Sequence, residues 1–525
     1  MKWAIKKIRN NSIYTFFLIL FLSSLSYANN TKDKTLRIRT LGDPLTLDWN
    51  RAYTPVEATL IRNIMEGLIG IDPNGKLEPA LAQAWRVSDD LLTYTFSLRT
   101  IARWSDGLPL HAQHFVDSWE RLLAPNFRAN YAYVLFDIEN AQEYASGAVK
   151  EFSKVGVKAL DAHTLQVKLK KPVTYWPWIL TFWSTFPIRK DLVQSRPADW
   201  DKPKNLVSIG PYVYDTYEPH QKIILKKNSK YYGKTGNVSR IEARLIDDEK
   251  TAIDLYLKNK IDFMTRLSIE TTALAKRKDL TQWPEARVVH LDFNFDDPLA
   301  SKLDFRKAVA LAIDKALFAK KLNTASQAAT TLVAPGILSY SPQTHLNYQP
   351  QLAQSLLKKL GLSESPPTEV DLVIASFKDD VVAAEIIQAE LKKNLNLVVR
   401  IRKLEPKQFY SPLVKLGGFT MILNRWTADY PDPDNFYSIF LSNAGNNRVG
   451  WRNANYDTIV QAARSESNER NREQMYYRAH QILVDENAIA VPLYYGKNMA
   501  LIRPNISGFI PTPTNSYLFK FFSIK

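Results

Sequence analysis

The sequence predicts a mixed α/β protein with two or three domains. Its 525 residues exceed what a single hydrophobic core usually serves. Short runs rich in β-branched and aromatic residues predict strands at residues 36–41, 93–99, 164–169 and 222–227. Segments with apolar residues at helical spacing lie between and after these strands. Strands and helices that interleave in this way are typical of α/β domains.

The individual elements follow from their periodicity. In residues 93–99, Tyr94, Phe96 and Leu98 alternate with hydroxyl side chains, which predicts a half-buried strand. The clearest helix is residues 306–322, where alanine and leucine recur on one helical face. The other predicted helices are residues 56–68, 112–123, 351–360, 381–395 and 468–486.

The first 28 residues have the features of a secretory signal peptide. Residues 1–11 carry four basic side chains and no acid, and residues 13–25 form an apolar run. Ser26 and Ala28 are small residues at the two positions that a signal peptidase reads. The run is shorter than the roughly 20 residues that a membrane-spanning helix needs. We therefore predict cleavage after Ala28 and export of the remaining chain.

The overall composition restricts the possible functions. The chain has 69 Lys and Arg against 53 Asp and Glu, giving a net charge of +16, but the basic residues are spread along the sequence. Dispersed charge on an exported protein favours a solvated basic surface over nucleic-acid binding. The absence of cysteine excludes a lipid-modified cysteine at the cleavage site, thiolate catalysis and cysteine-based metal sites.

Motifs for catalysis and metal binding are missing from the sequence. Gly233-Lys234-Thr235 lacks the upstream glycine of a phosphate-binding loop, and no G-x-S-x-G or H-E-x-x-H motif occurs. His111 and His114 could form a two-histidine metal site, but we favour the interpretation that they are polar residues at the start of a helix. We therefore predict no enzymatic activity, no cofactor and no metal site.

The stretch NRWTADYPDPDNF, residues 424–436, is the most informative segment for function. Asp429, Asp432 and Asp434 lack the glycine and terminal glutamate of a calcium loop. Asp-Pro and Asp-Asn steps favour turns, so we interpret Asp432 and Asp434 as turn acids. Catalytic use of these acids in a secreted hydrolase is a remote alternative. Trp426, beside Asp429 in a polar context, is the kind of aromatic residue that lines ligand clefts.

Several segments together resemble a known protein family. They include PLTLDWNRAYTPVEATLIRNIMEGLIGIDPNGKLEPALAQAW (44–85), YTFSLRTIARWSDGLPLHAQHFVDSWERL (94–122), DFRKAVALAIDK (304–315) and AIAVPLYYGKNMALIRP (488–504). In this order they resemble family 5 of the extracytoplasmic solute-binding proteins, typified by periplasmic oligopeptide- and dipeptide-binding proteins. The resemblance covers nearly the whole chain after the signal peptide.

The resemblance implies a fold and a domain organisation. The fold is a two-lobed α/β periplasmic binding protein of type II, similar to cluster C, with three domains and a ligand cleft that closes by a hinge. Lobe one would combine residues 29–64, 187–290 and 491–525, with residues 65–186 as an additional domain attached to it. Lobe two would be residues 291–490, and the hinges would lie near residues 290 and 490.

The resemblance also implies a function and its residues. A family member captures short peptides in the periplasm, as a monomer, and delivers them to the permease of an inner-membrane ABC transporter. In peptide-binding members the acid matched by Asp429 pairs with the ligand's α-amino group. Trp426 matches a pocket tryptophan, Thr427 a position whose backbone meets the peptide, and Tyr131 a contacting tyrosine.

The sequence departs from the oligopeptide binders at several of these positions. An acidic contact residue of that group corresponds to Tyr53, and an arginine used for some peptide C-termini falls on Leu423. Arg425 or Lys415 is a candidate to bind the ligand's carboxylate instead. Members with this scaffold also bind nickel chelates, haem or murein peptides, so a non-peptide solute is the alternative.

Overall fold

We analysed a computed structural model of the chain. The structure describes residues 34–265, 267, 274, 276–343, 346–362, 366–409, 418–512 and 517–525. The predicted signal peptide, residues 1–28, and the candidate Lys415 lie outside the described residues. Within the described ranges, no helix combines the length and the apolar character that crossing a membrane requires.

Strands and helices alternate along the chain, in agreement with the predicted α/β class. The strands are β1 Thr35–Thr40, β2 Ile69–Ile71, β3 Leu77–Pro79, β4 Ala82–Val87, β5 Thr93–Leu98, β6 Val157–Ala159, β7 Thr164–Lys168, β8 Tyr212–Glu218, β9 Lys222–Lys227, β10 Arg240–Leu245, β11 Phe263–Thr265, β12 Leu280–Phe293, β13 Ala325–Ala328, β14 Glu369–Ala375, β15 Val398–Leu404, β16 Met421–Thr427, β17 Ala490–Ile502, β18 Ile506–Ser507 and β19 Ser523–Ile524. The α-helices are α1 Pro55–Ile64, α2 Gln113–Leu123, α3 Ala141–Ala145, α4 Trp176–Ile179, α5 Lys190–Ser195, α6 Glu249–Leu257, α7 Leu303–Ala312, α8 Ala316–Lys321, α9 Pro350–Lys359, α10 Lys378–Leu395, α11 Pro406–Phe409, α12 Asp434–Tyr437, α13 Ala454–Ser465 and α14 Glu469–His480.

One large sheet runs through the molecule. Counted over the described residues it has 11 strands, in the order β15-β14-β16-β12-β17-β11-β1-β10-β9-β8, with β13 also paired to β17. Strands β12 and β17 are antiparallel and join the two ends of this sheet. A separate four-stranded sheet, β4-β5-β7-β6, also forms within the described residues. The predicted hinges near residues 290 and 490 fall in β12 and at the start of β17, and hinge motion there stays a prediction.

Two large hydrophobic cores give the molecule its two-lobed form. One core takes its buried residues from positions 286–495. The other takes them from positions 36–283 and 500–522. The chain therefore crosses between the cores along β12 and β17. The predicted boundaries at residues 65 and 186 stay a prediction, because residues on both sides of them contribute to the second core.

Two helix predictions were wrong in detail. The predicted helix 306–322 is two helices, α7 and α8, because Ile313 adopts an extended conformation and the Asp314 carboxylate accepts a hydrogen bond from the Ala316 backbone N–H at 3.0 Å. Such local side-chain bonding competes with the helix. The predicted helix 56–68 ends at Ile64, where Met65 is extended.

Helix α1 is held rigidly at both ends. At its start Thr54 and Glu57 form a capping box, with Pro55 in the first turn. At its end the Gly210 backbone N–H donates to the Ile64 carbonyl at 2.9 Å. A Cβ at Gly210 would lie within 2.8 Å of backbone atoms of Ile64 and Met65. Gly210 therefore permits the close approach that fixes this helix beside the cleft.

We predict that Gly210→Ala lowers the free energy of unfolding by about 2 kcal/mol or more, because backbone atoms rather than flexible side chains would have to move. Gly445→Ala is the matched control, since no atom lies within 4 Å of the added Cβ. Urea unfolding of both variants measures the difference. Equal stability of the two variants would contradict the close packing at Gly210.

Candidate ligand-binding cleft

Two adjoining cavities lie between the two hydrophobic cores. Cavity A has a volume of about 460 Å³, and cavity B about 350 Å³. Asp429 and Phe182 line both cavities. The walls of cavity A include Tyr53, Arg62, Tyr131, Arg287, Thr427 and Lys497. The walls of cavity B include Tyr133, Tyr175, Trp178, Trp426, Ile439 and Leu441.

Strand β16 directs its last residues into the two cavities. It pairs antiparallel with β12, with Thr427 opposite Arg287 and Trp426 opposite Val288. Successive side chains of a strand point to opposite faces. Thr427 therefore lines cavity A while Trp426 lines cavity B, and Asp429, just beyond the strand, lines both.

The amide of Asn435 fixes the loop that carries Asp429. Its Oδ1 accepts a hydrogen bond from the Trp426 indole N–H at 3.0 Å and another from the Asp429 backbone N–H at 3.1 Å. Asn435 is itself buried in the short helix α12. One acceptor therefore sets both the indole and the peptide unit from which the Asp429 side chain projects.

Asp432 and Asp434 stabilise the same loop through a backbone hydrogen bond and two ion pairs. The Asp432 carboxylate accepts from the Asp434 backbone N–H at 2.9 Å, as expected for a turn acid. Both are also buried in ion pairs that the turn interpretation did not predict, Asp432 with Arg472 and Asp434 with Arg464, each at 2.6 Å. Burial raises the pKa of Asp432, and the ion pair with Arg472 opposes this effect.

Unlike Asp432 and Asp434, Asp429 forms no ion pair with an arginine among the described residues. The Tyr133 hydroxyl donates a hydrogen bond to Oδ2 of Asp429 at 3.3 Å. The Asp429 carboxylate forms no ion pair with the described residues. Burial raises the pKa of Asp429 to about 6, opposed only by the hydrogen bond from Tyr133. A half-buried carboxylate with one long hydrogen bond retains most of its capacity to accept from a cation.

Tyr131 and Tyr53 also line cavity A. The Tyr131 ring packs edge-on against Phe182 and Trp183, with centroid distances of 4.8 and 5.3 Å. Tyr53, beside cavity A, keeps 51% of its surface exposed. The structure thus brings together five of the six residues singled out from the sequence, with Asp429 at the junction.

Arg425 is the sixth residue, and the structure does not bring it to either cavity. Its guanidinium forms an ion pair with the buried Asp380 and lies 4.3 Å from the centroid of the Phe377 ring. Burial raises the pKa of Asp380, and the Arg425 charge opposes this effect. Because the buried Asp380 carboxylate already pairs with Arg425, this arginine has a structural role.

The two histidines considered as metal ligands have protein partners. His114 Nδ1 accepts from the Trp104 indole N–H at 3.3 Å and from the His111 backbone N–H at 3.1 Å. Burial and the neighbouring His111 lower the pKa of His114 to about 4. In the described part of the chain, no three His, Asp or Glu residues cluster as a metal site.

Direct contacts close the cleft around Asp429. The rings of Tyr175 and Tyr430 stack at 5.1 Å, and the Thr174 backbone N–H donates to the Arg464 carbonyl at 3.0 Å. The Ser465 hydroxyl also donates to the Pro172 carbonyl at 2.9 Å. These contacts join residues 172–175 to Tyr430, Arg464 and Ser465 across the cleft.

Sequence reasoning missed several residues of the cleft. Nothing in the sequence pairs Asn435 with Trp426, because their contact depends on the fold of the loop. Lys497 did carry a signal, since it is the single charged residue of β17, which is otherwise apolar or uncharged. Tyr133 was also missed, because its contact with Asp429 joins residues that are far apart in the sequence.

The fold and cleft are those of a solute-binding protein, and the comparison with known families agrees. The model of the bacterial extracellular solute-binding proteins, family 5 Middle, matches residues 76–448. The chain belongs to this family of solute-binding proteins, and its fold is the two-lobed periplasmic binding protein fold.

The chain is similar to family members that have different ligands. It is 28% identical to the Probable deoxycholate-binding periplasmic protein YgiS of Escherichia coli strain K12, covering 91% of this chain and 90% of that one. It is 28% identical to the periplasmic oligopeptide-binding protein OppA of Salmonella typhimurium, covering 91% and 90%. The solved Escherichia coli murein tripeptide binding protein MppA superposes with a TM-score of 0.78 at 27% identity, covering 94% and 99%.

We predict that Asp429→Asn stabilises the unliganded protein by roughly 1–2 kcal/mol at pH 7.5, because a folded-state pKa above the unfolded value disfavours the charged carboxylate. The gain should shrink as the pH falls through 6 towards 4, where Asp429 becomes neutral. Thermal unfolding across this pH range measures the effect. Asp89→Asn, at an exposed position, is the control, and equal behaviour of the two variants would contradict the burial of Asp429.

Proposed function

We propose that this protein is a periplasmic receptor for short peptides. The observation that carries the proposal is the carboxylate of Asp429 at the junction of two cavities, whose only side-chain partner among the described residues is the Tyr133 hydroxyl. A peptide supplies a cation, its α-amino group, at the end of an extended chain. The named relatives that bind oligopeptides and murein tripeptide support this ligand class.

The interaction is favourable because of where it forms. A charge-assisted hydrogen bond contributes about 1.5–3 kcal/mol, and an unpaired buried charge costs more. Asn435 and the two ion pairs of the loop hold Asp429 before the ligand arrives. Little side-chain ordering then remains to be done on binding.

In this account the receptor acts as a monomer and closes on its ligand. Hinge bending at β12 and β17 would separate the Tyr133 and Asp429 sides of the cleft, which are in contact in this structure, and close them again around the peptide. The closed form then presents one surface to the permease of an inner-membrane ABC transporter, which takes up the peptide. Secretion through a cleavable signal peptide would place the receptor in the periplasm.

The alternatives are a non-peptide solute on the same scaffold and, more remotely, a hydrolase. The similarity to a deoxycholate-binding protein keeps the first alternative open. The hydrolase would use the acids of residues 429–434, yet Asp432 and Asp434 are each held by an arginine. Native mass spectrometry of protein from its own cell distinguishes peptides from a metal chelate, haem or a steroid.

We predict that the wild-type protein binds a mixture of di- to tetrapeptides and that Asp429→Asn weakens this binding by at least about tenfold, because the α-ammonium loses its charged acceptor. Isothermal titration calorimetry measures both affinities. Asp89→Asn should bind as the wild type does. Unchanged affinity in Asp429→Asn would remove Asp429 from the site.

We further predict a pH dependence of peptide affinity. Binding requires the ionised carboxylate, so affinity is present above pH 6 and is lost as the pH falls through the pKa of Asp429, about 6. The dissociation constant should be about tenfold higher at pH 5 than at pH 7.5. Titrations of Asp429→Asn should lack this dependence, and a flat wild-type profile would contradict the raised pKa.

A further inference from the structure

Cavity A contains more positive charge than the proposed α-amino site explains. Its walls carry the cations Arg62, Arg287 and Lys497 and the acids Glu285 and Asp429. Arg287 and Glu285 form an ion pair at 2.8 Å, and both are largely buried. This pair is neutral as a unit, so two cations face the cavity without an acid of their own.

Lys497 is the more available of these two cations. It lies in β17, and its backbone N–H donates to the Thr324 carbonyl at 2.8 Å, which fixes the main chain. Its ammonium has no hydrogen bond or ion pair with the described residues, and burial lowers the pKa of Lys497. A partly buried ammonium without a partner is costly, unless a ligand supplies the anion.

Arg62 is the second cation. It projects from α1, donates one guanidinium N–H to the Thr181 carbonyl at 3.1 Å and lies 5.2 Å from the Trp183 ring centroid. No ion pair joins it to an acid within the described ranges. The stacking and the single carbonyl bond orient the group and leave further N–H donors for a ligand.

The carboxylate candidate suggested by the sequence does not compete with these two residues. Arg425 is engaged by Asp380 and lines neither cavity. Cavity B offers no substitute, because its arginine, Arg464, is held by Asp434 at 2.6 Å. In the described part of the chain, the free positive charge of the cleft therefore lies in cavity A, on the opposite side of Asp429 from cavity B.

We propose that Lys497 binds the terminal carboxylate of the peptide and that Arg62 supplies a second positive charge for it in cavity A. This inference rests on the proposed peptide-binding function and gives the ligand a direction. With the α-amino group at Asp429, the peptide chain enters cavity A. The first side chain then occupies cavity B, whose walls include Trp178, Trp426, Ile439 and Leu441. The preferred ligands are peptides with a free carboxyl end and a large apolar first residue.

The test combines a change in the ligand with a change in the protein. Phe-Ala, Phe-Ala-Ala and Phe-Ala-Ala-Ala, each as free acid and as C-terminal amide, are titrated into wild-type protein and into Lys497→Met. For at least one length, amidation should weaken wild-type binding by about tenfold or more. In Lys497→Met the free acid and the amide should bind with similar affinity, because the cation that distinguishes them is gone.

Lys320→Met, which removes an exposed lysine outside both cavities, is the control and should retain the wild-type discrimination. Equal wild-type binding of acid and amide at all three lengths would overturn the inference while leaving the α-amino site intact. Binding of neither form would overturn the proposed function and the inference with it. If Lys497→Met still binds the free acids more tightly than the amides, then Lys497 does not bind the terminal carboxylate and the inference is wrong.

The direction of the peptide has its own test. Phe-Ala-Ala should bind the wild-type protein about tenfold more tightly than Ala-Ala-Phe, because only the former places its phenyl ring in cavity B. Trp178→Ala, which enlarges cavity B, should reduce this difference. Tighter binding of Ala-Ala-Phe would reverse the proposed direction.

Discussion

The cleft depends on one carboxylate that is partly withdrawn from water and that pairs with no cation among the described residues. Asp429 lies between two cavities, and its side chain receives one hydrogen bond, from Tyr133. The neighbouring acids Asp432 and Asp434 show what the chain does with buried acids elsewhere, since each is paired with an arginine. Under the proposed function a ligand supplies the cation that Asp429 lacks among the described residues, and binding then stabilises the protein.

The rest of the structure holds this carboxylate in position. Strands β12 and β17 pass between the two cores, and β16, paired to β12, delivers Thr427, Trp426 and the loop to the cleft. The amide of Asn435 fixes the loop, and the contacts of Tyr175 with Tyr430 close the cleft beside it. The cations of cavity A then complete an arrangement with opposite charges on a single path, which suits a zwitterion more closely than a simple cation or anion.

The fold class was predicted correctly from the sequence, the ligand contact of Asp429 stays a prediction, and the details that were missed have physical reasons. Alternation in residues 93–99 located β5 because side-chain burial follows the period of a strand directly. The break between α7 and α8 was not visible, because it depends on a hydrogen bond from one backbone N–H to Asp314. Arg425 attracted attention as a cation near the motif, but β16 turns it towards Asp380. Asn435 had no sequence signal, and Lys497 was missed although it is the one charged residue of β17.

The proposed role of Asp429 is tested most directly by measuring its pKa in the free and in the peptide-bound protein. Carbon-13 NMR of the labelled carboxyl group across the pH range gives both values, with Asp429→Asn to assign the signal. We predict that the pKa of Asp429 is about 6 in the free protein. In the peptide-bound protein it should be lower by about one to two units, because a contacting ammonium group stabilises the ionised carboxylate. A pKa near 4 in the free protein, unchanged when peptide is added, would contradict this prediction.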